Sequence, residues 1–398
     1  MPMSRKKRSH AAFFVFPEFA DTVPTLSVVS TLVRRGYRVS YVTTDRFASS
    51  ISELGAEFVR CPSYMDFAQG TSDGNSPREN PFVPLTANTL SAITPFYEEN
   101  RPDIIIHDTV GFAGRILAKK WDIPSIQVSC DFRMDRRYPS RQAPEFYNAV
   151  LGGVPSYEQL LASYGIVGDG FLFSRGELNI YFYPNIFQLD GNAFDESSFY
   201  AGRCAPERPY TGKWRPKDAG NQRIVLVSAS TLFVQGPEYF EMCIEALADL
   251  QWHVILNIGE NNDPATFGAV PAQFEIIQGK PQIGVLPYAD LLICAGGMMT
   301  TVESMYCGVP LLMMTHGNVE LEAYAENGVR LGLGRHLKKA EANAETIRES
   351  LLQMSEDTAL RGRVMQAQRL VRAEPGAEEV ANRIGEYVES FDGISGEV

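Results

Sequence analysis

The chain has 398 residues, of which 44% are hydrophobic and 21% are charged, so it can bury the cores of about two or three domains. Its 48 acidic residues outnumber the 36 basic ones, which gives a formal net charge of −12. This acidity argues against non-specific nucleic-acid binding, because such binding needs clustered positive charge to release phosphate counterions.

The first half of the chain alternates strand patterns with helix patterns. Residues 11–16 form an apolar run typical of a strand buried on both faces, and residues 38–43 form the next predicted strand. Between them, Pro24 is predicted to open a helix that Gly36 closes. The alternation continues with a short helix at 45–54, strands at 103–107 and 125–129, and a helix near 111–120. Such strand–helix–strand units predict a parallel, doubly wound sheet.

A segment rich in proline, glycine and charge at 205–222 is predicted to be a linker. Beyond it the sequence predicts strands at 223–228, 253–257, 274–277, 291–294 and 310–314, helices at about 237–250 and from about 300, and three closing helical segments. We therefore predict an α/β protein with two doubly wound, Rossmann-like parallel-sheet domains that face each other across a cleft. The predicted domains are 1–204 and 223–375, and a C-terminal helix at 376–398 is expected to pack back on the first. Ligands are expected at the carboxyl ends of the strands, between the domains.

Cysteine usage and hydropathy bear on where the protein acts. The six cysteines show no CxxC spacing, and several lie in apolar runs such as 291–294, so neither a disulfide framework nor a metal site is expected. No apolar stretch reaches the roughly 18 residues of a membrane span. The apolar run at 11–16 is too short for a secretory signal, so we expect a cytoplasmic protein.

Two aspartates follow predicted strands in the first half of the chain. Asp21 comes after the first strand, and Asp108 comes directly after the strand that ends at His107. Parallel strands bring both positions to one edge of the sheet, and two nearby carboxylates cannot both ionise easily. One would then have a raised pKa and could act as a base near neutral pH. Helix capping ahead of Pro24 explains Asp21 equally well, and His107 is expected to pack or hydrogen-bond at its strand end.

The segment at 293–310 is the most distinctive in the chain. A predicted buried strand is followed by a small-residue turn at Gly296-Gly297 and then by a helix that begins around 299–301. Such a turn leaves backbone N–H groups free at a helix N-terminus, which suits a phosphate. A tight strand-to-helix connection, with Thr300 or Thr301 as a helix cap, explains the same residues without a ligand.

Several stretches of the chain carry a family resemblance. They are PTLSVVSTLVRRGYRVSYVTT (24–44), IIHDTVGFAGRILAKKWDIPSI (105–126), IVLVSASTLF (224–233), EALADLQWHVILNIG (245–259), KPQIGVL (280–286) and the region 293–336 with its GVP and LGLGRHL runs. They follow one another over nearly the whole chain and resemble nucleotide-sugar glycosyltransferases of the bacterial macrolide and antibiotic type. The resemblance implies a GT-B fold, with an acceptor-binding N-terminal domain and a nucleotide-sugar-binding-like C-terminal domain.

The resemblance also assigns the catalytic positions. In this family a histidine in the first loop deprotonates the acceptor, and the corresponding stretch at 20–25 holds Asp21 in that place. The aspartate that orients the histidine corresponds to Asp108. A second histidine, which binds the diphosphate eight residues before a glutamate, corresponds to Ala295, because the glutamate is Glu303. None of the five histidines of the chain occupies either position, so the expected catalytic pair is Asp21 and Asp108.

On the donor side the resemblance is incomplete. The tryptophan that stacks on the base corresponds to Gly279, and the glutamine of the sugar-binding acid–glutamine pair corresponds to Leu321. The donor contacts implied by the resemblance are Ser230, Gln282, Gly297, Met299, Thr300, Thr301, Glu303 and Glu320. Among these, Glu303 would contact the ribose, Gln282 would lie near the base and Glu320 would take a sugar hydroxyl. A solvated or capping carboxylate is the alternative for Glu303.

In related enzymes the acceptor docks on the first domain, which points to the loops at 61–85 and 131–150. The candidate acceptor contacts are Tyr64, Met65, Phe67, Phe132, Met134 and Tyr138. Aromatic and methionine side chains suit an apolar polycyclic or macrocyclic substrate, whereas Arg133, Arg136 and Arg137 favour an acidic group on it. Ordinary loop packing is the alternative for each of these residues.

Two functions are compatible with these observations. The first is an inverting glycosyltransferase that moves a sugar from an NDP-sugar (UDP or dTDP) to a natural-product acceptor in secondary metabolism, with no tightly bound cofactor. The alternative is a glycosyltransferase-like protein without sugar transfer, either a non-catalytic auxiliary protein or an acid–base enzyme that uses Asp21 and Asp108. The alternative is motivated by the joint departure of the base and three donor contacts from the family pattern. A homodimer is compatible with the sequence.

Overall fold

Two units make up the chain in the computed structural model. One comprises residues 1–182, 192–205 and 375–398, and the other comprises 183–191 and 206–374. The residues that the structure describes are 9–64, 66, 82–131, 154–167, 176–188, 196–204, 215, 222–228, 236–260, 262–278, 282–315, 317 and 319–395. The predicted contacts Met65, Phe67, Phe132, Met134, Tyr138 and Ser230 lie outside these residues, as does most of the predicted linker.

The elements alternate along the chain, and each unit contains one sheet. The strands are β1 (His10–Phe14), β2 (Arg38–Thr43), β3 (Glu57–Arg60), β4 (Ile104–His107), β5 (Ser125–Ser129), β6 (Asn179–Tyr181), β7 (Ser198–Tyr200), β8 (Ile224–Ser228), β9 (His253–Asn257), β10 (Phe274–Ile277), β11 (Leu291–Cys294), β12 (Leu311–Met314) and β13 (Gly334–Leu337). The helices are α1 (Phe19–Arg34), α2 (Ala48–Glu53), α3 (Phe82–Glu99), α4 (Phe112–Trp121), α5 (Val154–Ser163), α6 (Pro237–Leu247), α7 (Met298–Cys307), α8 (Val319–Arg330), α9 (Ala344–Glu356), α10 (Thr358–Arg372) and α11 (Gly376–Ser395).

The sheet of the first unit has seven parallel strands in the order β3-β2-β1-β4-β5-β6-β7. Every residue of β1 is buried, as expected for an apolar strand covered on both faces. The strand order reverses between β1 and β4, where Phe14 pairs with His107. The loop after β1 and the residue Asp108 therefore leave the sheet side by side, at the kind of position where ligands bind in such folds.

The start of α1 differs from the prediction. The helix begins at Phe19, because the N–H of Thr22 already donates to the carbonyl of Glu18 at 2.9 Å. Pro24 therefore lies inside the helix, where it lacks the N–H that would bond to the carbonyl of residue 20. The preference of proline for a first helical turn made this prediction wrong. The predicted end is confirmed, since Gly36 follows the helix with a φ of 90°.

At its other end α1 packs against α11, which belongs to the same unit. Glu378 of α11 pairs with Arg34 at 2.6 Å and with Arg35 at 2.8 Å. These charges are exposed or partly exposed, so the two ion pairs contribute little to the stability of this contact.

The sheet of the second unit has six parallel strands in the order β10-β9-β8-β11-β12-β13. Strand β8 lies beside β11, and Val227 pairs with Ile293. Ser228 and the turn after β11 therefore emerge at the same edge. The predicted fold class of two doubly wound parallel-sheet domains is confirmed by both sheets.

The remaining differences are elements that the prediction lacks, and they include helices α3 and α5 and one of the four helices that follow β12. Strands β3, β6, β7 and β13 have no counterpart in the prediction, because three or four residues carry too little periodicity to be recognised. Helices α9, α10 and α11 close the chain as predicted. In the part of the chain that is described, no helix combines the length and the apolar character needed to cross a membrane. All six cysteines are free.

Candidate functional site

Asp108 lies directly after β4, and its carboxylate is buried against backbone groups. One oxygen, Oδ2, accepts a hydrogen bond from the N–H of Phe16, and the other, Oδ1, accepts from the N–H of Val110 at 3.0 Å. Phe16 belongs to the loop between β1 and α1, so Asp108 ties that loop to the end of β4. Burial raises the pKa of Asp108 to about 7, although the nearby backbone N–H groups favour its charged form.

The turn that follows Asp108 requires a glycine. A Cβ atom on Gly111 would lie 2.2 Å from the carbonyl oxygen of Phe14 and 2.8 Å from Oδ1 of Asp108. The carbonyl of Phe14 accepts from the N–H of Asp108 at 3.2 Å and Oδ1 accepts from the N–H of Val110, so neither oxygen can move away without breaking a hydrogen bond. The absence of a side chain at Gly111 therefore allows the end of β4 to approach β1 closely.

Asp21 lies in the first turn of α1 and is half-buried. The residue that precedes the helix is Glu18, whose side chain makes no capping hydrogen bond, so the capping role considered for Asp21 ahead of Pro24 is wrong. The backbone carbonyl of Asp21 faces the thiol of Cys130, with 4.0 Å between oxygen and sulfur. Asp21 is thus held near the end of β5, beside the loop that Asp108 ties down.

Cys130 and Asp131 follow β5, and sequence reasoning missed both as parts of this group. The thiol of Cys130 is buried, and its pKa is raised first by burial and then by the charges of Asp21, Asp131 and Asp108. Three carboxylates therefore lie within electrostatic range of one thiol. We call Asp21, Asp108, Cys130 and Asp131 the carboxylate cluster. The available signal was position, since Cys130 and Asp131 follow β5 just as Asp108 follows β4.

His107 is buried at the end of β4, as the sequence predicts. Its Nδ1 atom lies 2.9 Å from the backbone carbonyl oxygen of Asp108, which can only accept, so Nδ1 carries the proton. Burial lowers the pKa of His107 to about 3. The imidazole is therefore neutral and has a structural role.

Tyr64 is the one predicted acceptor contact among the described residues. Its ring packs against Phe82 with 5.3 Å between centroids and against Phe16 with 5.4 Å. Phe16 and Phe82 also contact each other, so the three rings form one aromatic group. Because Phe16 donates its N–H to Asp108, this aromatic group adjoins the carboxylate cluster.

In the second unit, the turn between β11 and α7 is shaped by glycine. Gly296 has a φ of 84°, in the left-handed region that favours glycine, and Gly297 is the residue that caps α7. The helix begins at Met298, so Met299, Thr300 and Thr301 lie within its first turn and do not cap it. The N–H groups of a first helical turn have no partner within the helix and carry the positive end of its dipole.

The side chains of that first turn meet Gln282. The amide Nε2 of Gln282 donates to Oγ1 of Thr300 at 3.1 Å and to Oε2 of Glu303 at 2.6 Å. The amide oxygen accepts from the hydroxyl of Ser228 at 2.8 Å. We call Ser228, Gln282, Thr300 and Glu303 the glutamine network. It brings together three predicted donor contacts and adds Ser228, whose position at the end of β8 was the only sequence signal.

Burial and hydrogen bonding distinguish between the alternative roles considered for Glu303, Thr300 and Thr301. Glu303 is only 8% exposed, so a solvated carboxylate is the wrong interpretation. Thr301 turns its hydroxyl back onto the carbonyl of Gly297 at 3.0 Å, which leaves Thr300 as the threonine that joins the network. Ala295, just before the turn, is buried and offers no side-chain hydrogen-bond donor.

Helix α8 begins beside the same turn. Leu321 lies with Cδ2 3.9 Å from where a Cβ of Gly297 would be. Glu320, in the first turn of α8, accepts a hydrogen bond from the hydroxyl of Tyr324 at 2.8 Å. Glu320 is therefore held in the second unit close to the start of α7, and Leu321 packs in the interior.

Comparison with known proteins gives consistent results along the chain. Residues 241–387 match the family described as erythromycin biosynthesis protein CIII-like, C-terminal domain. The chain is 31% identical over 390 residues to the NDP-glycosyltransferase YjiC of Bacillus licheniformis, covering 95% of this chain and 98% of that protein. It is 29% identical to the demethyllactenocin mycarosyltransferase of Streptomyces fradiae, covering 86% of this chain and 78% of that protein.

A solved structure matches at similar identity. The calicheamicin glycosyltransferase CalG4 superposes with a TM-score of 0.82 and 29% identity, covering 97% of this chain and all 100% of that one. Both the fold and the sequence are therefore shared over nearly the whole length. The two parallel sheets described above are those of a GT-B fold.

Proposed function

The chain belongs to the NDP-glycosyltransferase family, and we propose that it transfers a sugar, with inversion, from a UDP- or dTDP-sugar to a natural-product hydroxyl. The observation that carries this proposal is the glutamine network, in which Gln282, Thr300 and Glu303 converge on the first turn of α7. A protein without sugar transfer is not favoured, because the relatives are named transferases over almost the full length of the chain.

The diphosphate of the donor would be bound mainly by backbone groups. The N–H groups from Gly297 to Thr300 offer hydrogen bonds and the positive end of the helix dipole to an anion, whereas the N–H of Thr301 already donates to the carbonyl of Gly297. Ala295 provides no side-chain hydrogen-bond donor. The missing hydrogen bond to a charged phosphate costs roughly 1.5–3 kcal/mol of binding free energy. In this proposal Glu303 meets the ribose, Gln282 lies near the base and Glu320 takes a sugar hydroxyl.

Asp21 is the proposed catalytic base. Both oxygens of Asp108 accept backbone hydrogen bonds, whereas Asp21 is half-buried at the start of α1. The carboxylate of Asp21 would take the proton of the acceptor hydroxyl while that oxygen attacks the anomeric carbon. The bond between this carbon and the diphosphate oxygen breaks, and the nucleoside diphosphate leaves with the bonding electrons. A single displacement of this kind inverts the anomeric configuration.

Asp108 would serve catalysis as a positioning residue. Its hydrogen bond to Phe16 fixes the loop that leads into the first turn of α1, where Asp21 lies. The same bond holds Phe16 against Tyr64 and Phe82, so one buried carboxylate orders both the base loop and the aromatic group.

We assign the acceptor to the first unit and the donor to the second. The aromatic group with Tyr64 supports an apolar polycyclic or macrocyclic acceptor, since aromatic surfaces contribute most to the binding of such ligands. The mycarosyltransferase relative, which is named for demethyllactenocin, supports the same class. Six free cysteines fit a reducing compartment, and we propose that the protein acts in the cytoplasm.

Calorimetry followed by product analysis tests this function. The protein is titrated with UDP, dTDP and their sugars, and a bound donor is then incubated with a panel of macrocyclic and aromatic polycyclic alcohols. Binding and a mass increase of one sugar in mass spectrometry are expected. Absence of binding by every nucleotide would overturn the transferase function, whereas binding without a product from any acceptor would favour the auxiliary role.

A further inference from the structure

Ser228 is hydrogen-bonded to Gln282, the residue that makes all three bonds of the glutamine network. It is the last residue of β8 and is only 3% exposed. Its hydroxyl donates to the amide oxygen of Gln282 at 2.8 Å, across 54 positions of the chain. A buried hydroxyl bonded to a half-buried amide loses little to competition from water.

The bonds around Gln282 permit one orientation of its amide. The carboxylate of Glu303 can only accept, so the amide nitrogen must face Glu303, and at 2.6 Å this is a short, charge-assisted bond. The opposite side of the amide must then be its oxygen, which needs a donor, and Ser228 supplies one. Turning the amide over would place two acceptors against each other at Glu303.

The network has consequences for the residues at the start of α7. Both hydrogens of the Gln282 amide are used, one by Thr300 and one by Glu303. The amide therefore fixes the rotamers of a hydroxyl and a carboxylate that lie on the same helical turn. A glutamine side chain left without Ser228 would regain rotation about its last torsion, which is broad and nearly two-fold.

We propose that Ser228 is a positioning residue for the donor: its hydroxyl locks the Gln282 amide and thereby presets Thr300 and Glu303 for the nucleotide. This rests on the proposed donor site in the second unit. Since the effect acts through preorganisation of the binding groups, Ser228 affects donor affinity and leaves the chemical step unchanged.

Substitution of Ser228 tests this role in the full-length protein. Ser228→Ala is expected to raise the KM for the NDP-sugar and the Kd for the free nucleotide by about three- to tenfold, the effect of one hydrogen bond, with kcat retained. Ser228→Thr keeps the hydroxyl and is expected to restore the wild-type KM. The matched control is Ser304→Ala, which removes another buried serine hydroxyl that donates to the carbonyl of Val309 at the far end of α7.

A double-mutant cycle separates positioning from general stability. In a Gln282→Ala background, Ser228→Ala is expected to have no further effect on Kd, because the hydrogen bond through which Ser228 would act is already absent. Equal Kd values for wild type and Ser228→Ala, or additive effects in the cycle, would overturn the proposal, and thermal unfolding shows whether each variant is folded. Wild-type protein that binds no nucleotide would instead overturn the proposed function, so the two failures are distinct.

Discussion

The carboxyl ends of the two sheets carry different chemistry. In the first unit, three aspartates lie within electrostatic range of a buried thiol, and burial raises the pKa of both Asp108 and Cys130. In the second unit, the corresponding edge carries a glycine turn, a helix N-terminus and a network whose only carboxylate is Glu303. The first arrangement suits the removal of a proton, and the second suits the binding of an anion. In the proposed function the same parallel-sheet plan serves two tasks, because the residues that follow the strands differ.

The largest effect is expected from removing the base. Asp21→Asn should lower kcat by about 10²–10⁴-fold, the range for general bases, while the Kd for the nucleotide stays the same. Steady-state kinetics and calorimetry measure the two quantities. Asp45→Asn is the control, since Asp45 is an exposed carboxylate of the first unit that pairs with Arg60. Unchanged turnover would show that Asp21 is not the catalytic base. A higher Kd for the nucleotide would show that Asp21 also affects donor binding, which contradicts the assignment of the donor to the second unit.

Glu303→Gln tests the donor-binding role proposed for the second unit. The change keeps the shape of the side chain but removes a charged hydrogen-bond acceptor, so the KM for the NDP-sugar should rise by about 10- to 100-fold with kcat nearly constant. Initial rates at varied donor concentration check this. Glu356→Gln, an exposed carboxylate paired with Arg223, serves as the control. A fall in kcat at constant KM would instead place Glu303 in the chemical step.

Asp108→Asn tests whether the buried carboxyl of Asp108, in the first unit, binds a proton in the folded protein. Burial raises the pKa of Asp108 from its usual 3.8 to about 7, so between these values the folded protein keeps a proton that the unfolded chain has lost. The resulting stabilisation is complete below the unfolded pKa and is lost as the pH rises towards 7. The free energy of unfolding of the wild type, measured with urea, should fall by about 1–2 kcal/mol between about pH 5 and pH 7 because of this group.

The asparagine variant cannot titrate at this position. Its free energy of unfolding should therefore fall less over the same pH range, and the difference from wild type should equal the contribution of Asp108. Parallel curves for the two proteins would mean that Asp108 is ionised in the folded state throughout. The buried edge would then hold a charge fixed by the backbone N–H groups of Phe16 and Val110.

The smallest effect is expected at Thr300. Its bond to Gln282, at 3.1 Å, is longer than the bond to Glu303 and involves no charge. Thr300→Val should raise the KM for the NDP-sugar by about two- to fivefold, and Thr300→Ser should leave it close to wild type. A large fall in kcat would show that the hydroxyl of Thr300 takes part in the transfer step rather than in donor binding.

Much of the fold could be predicted from the sequence because most of its strands are rich in apolar residues and alternate with helical patterns. Strands β1, β2, β4 and β5 were identified in this way, as were β8, β9, β10, β11 and β12 in the second half. The start of α1 could not be predicted, since proline in a first turn and proline inside a helix look alike without the Glu18–Thr22 hydrogen bond. Short strands such as β6 and β7 depend on their neighbours for stability and carry too few residues for a pattern.

The candidate site, too, could be predicted from the sequence only in part. Position after a strand singled out Asp21 and Asp108, and the resemblance added Gln282, Thr300 and Glu303. Neither revealed that both oxygens of Asp108 are bonded to backbone groups, because its partner Phe16 lies 92 residues earlier in the chain. An isolated aspartate in a sequence does not show whether its carboxylate meets a substrate or the main chain.

Hydropathy and turn residues along the chain were enough to predict the alternation of strands and helices, the two doubly wound sheets and the residue types after each strand. Which of those residues meet depends on the tertiary fold. Pairing of β8 with β11 brings Ser228 to the edge where α7 begins, and Gln282 bonds to both; pairing of β1 with β4 brings Phe16 to Asp108. The physical reason is that strand order in a parallel sheet is set by the packing of both faces, whereas hydropathy along the chain records only that each strand is buried.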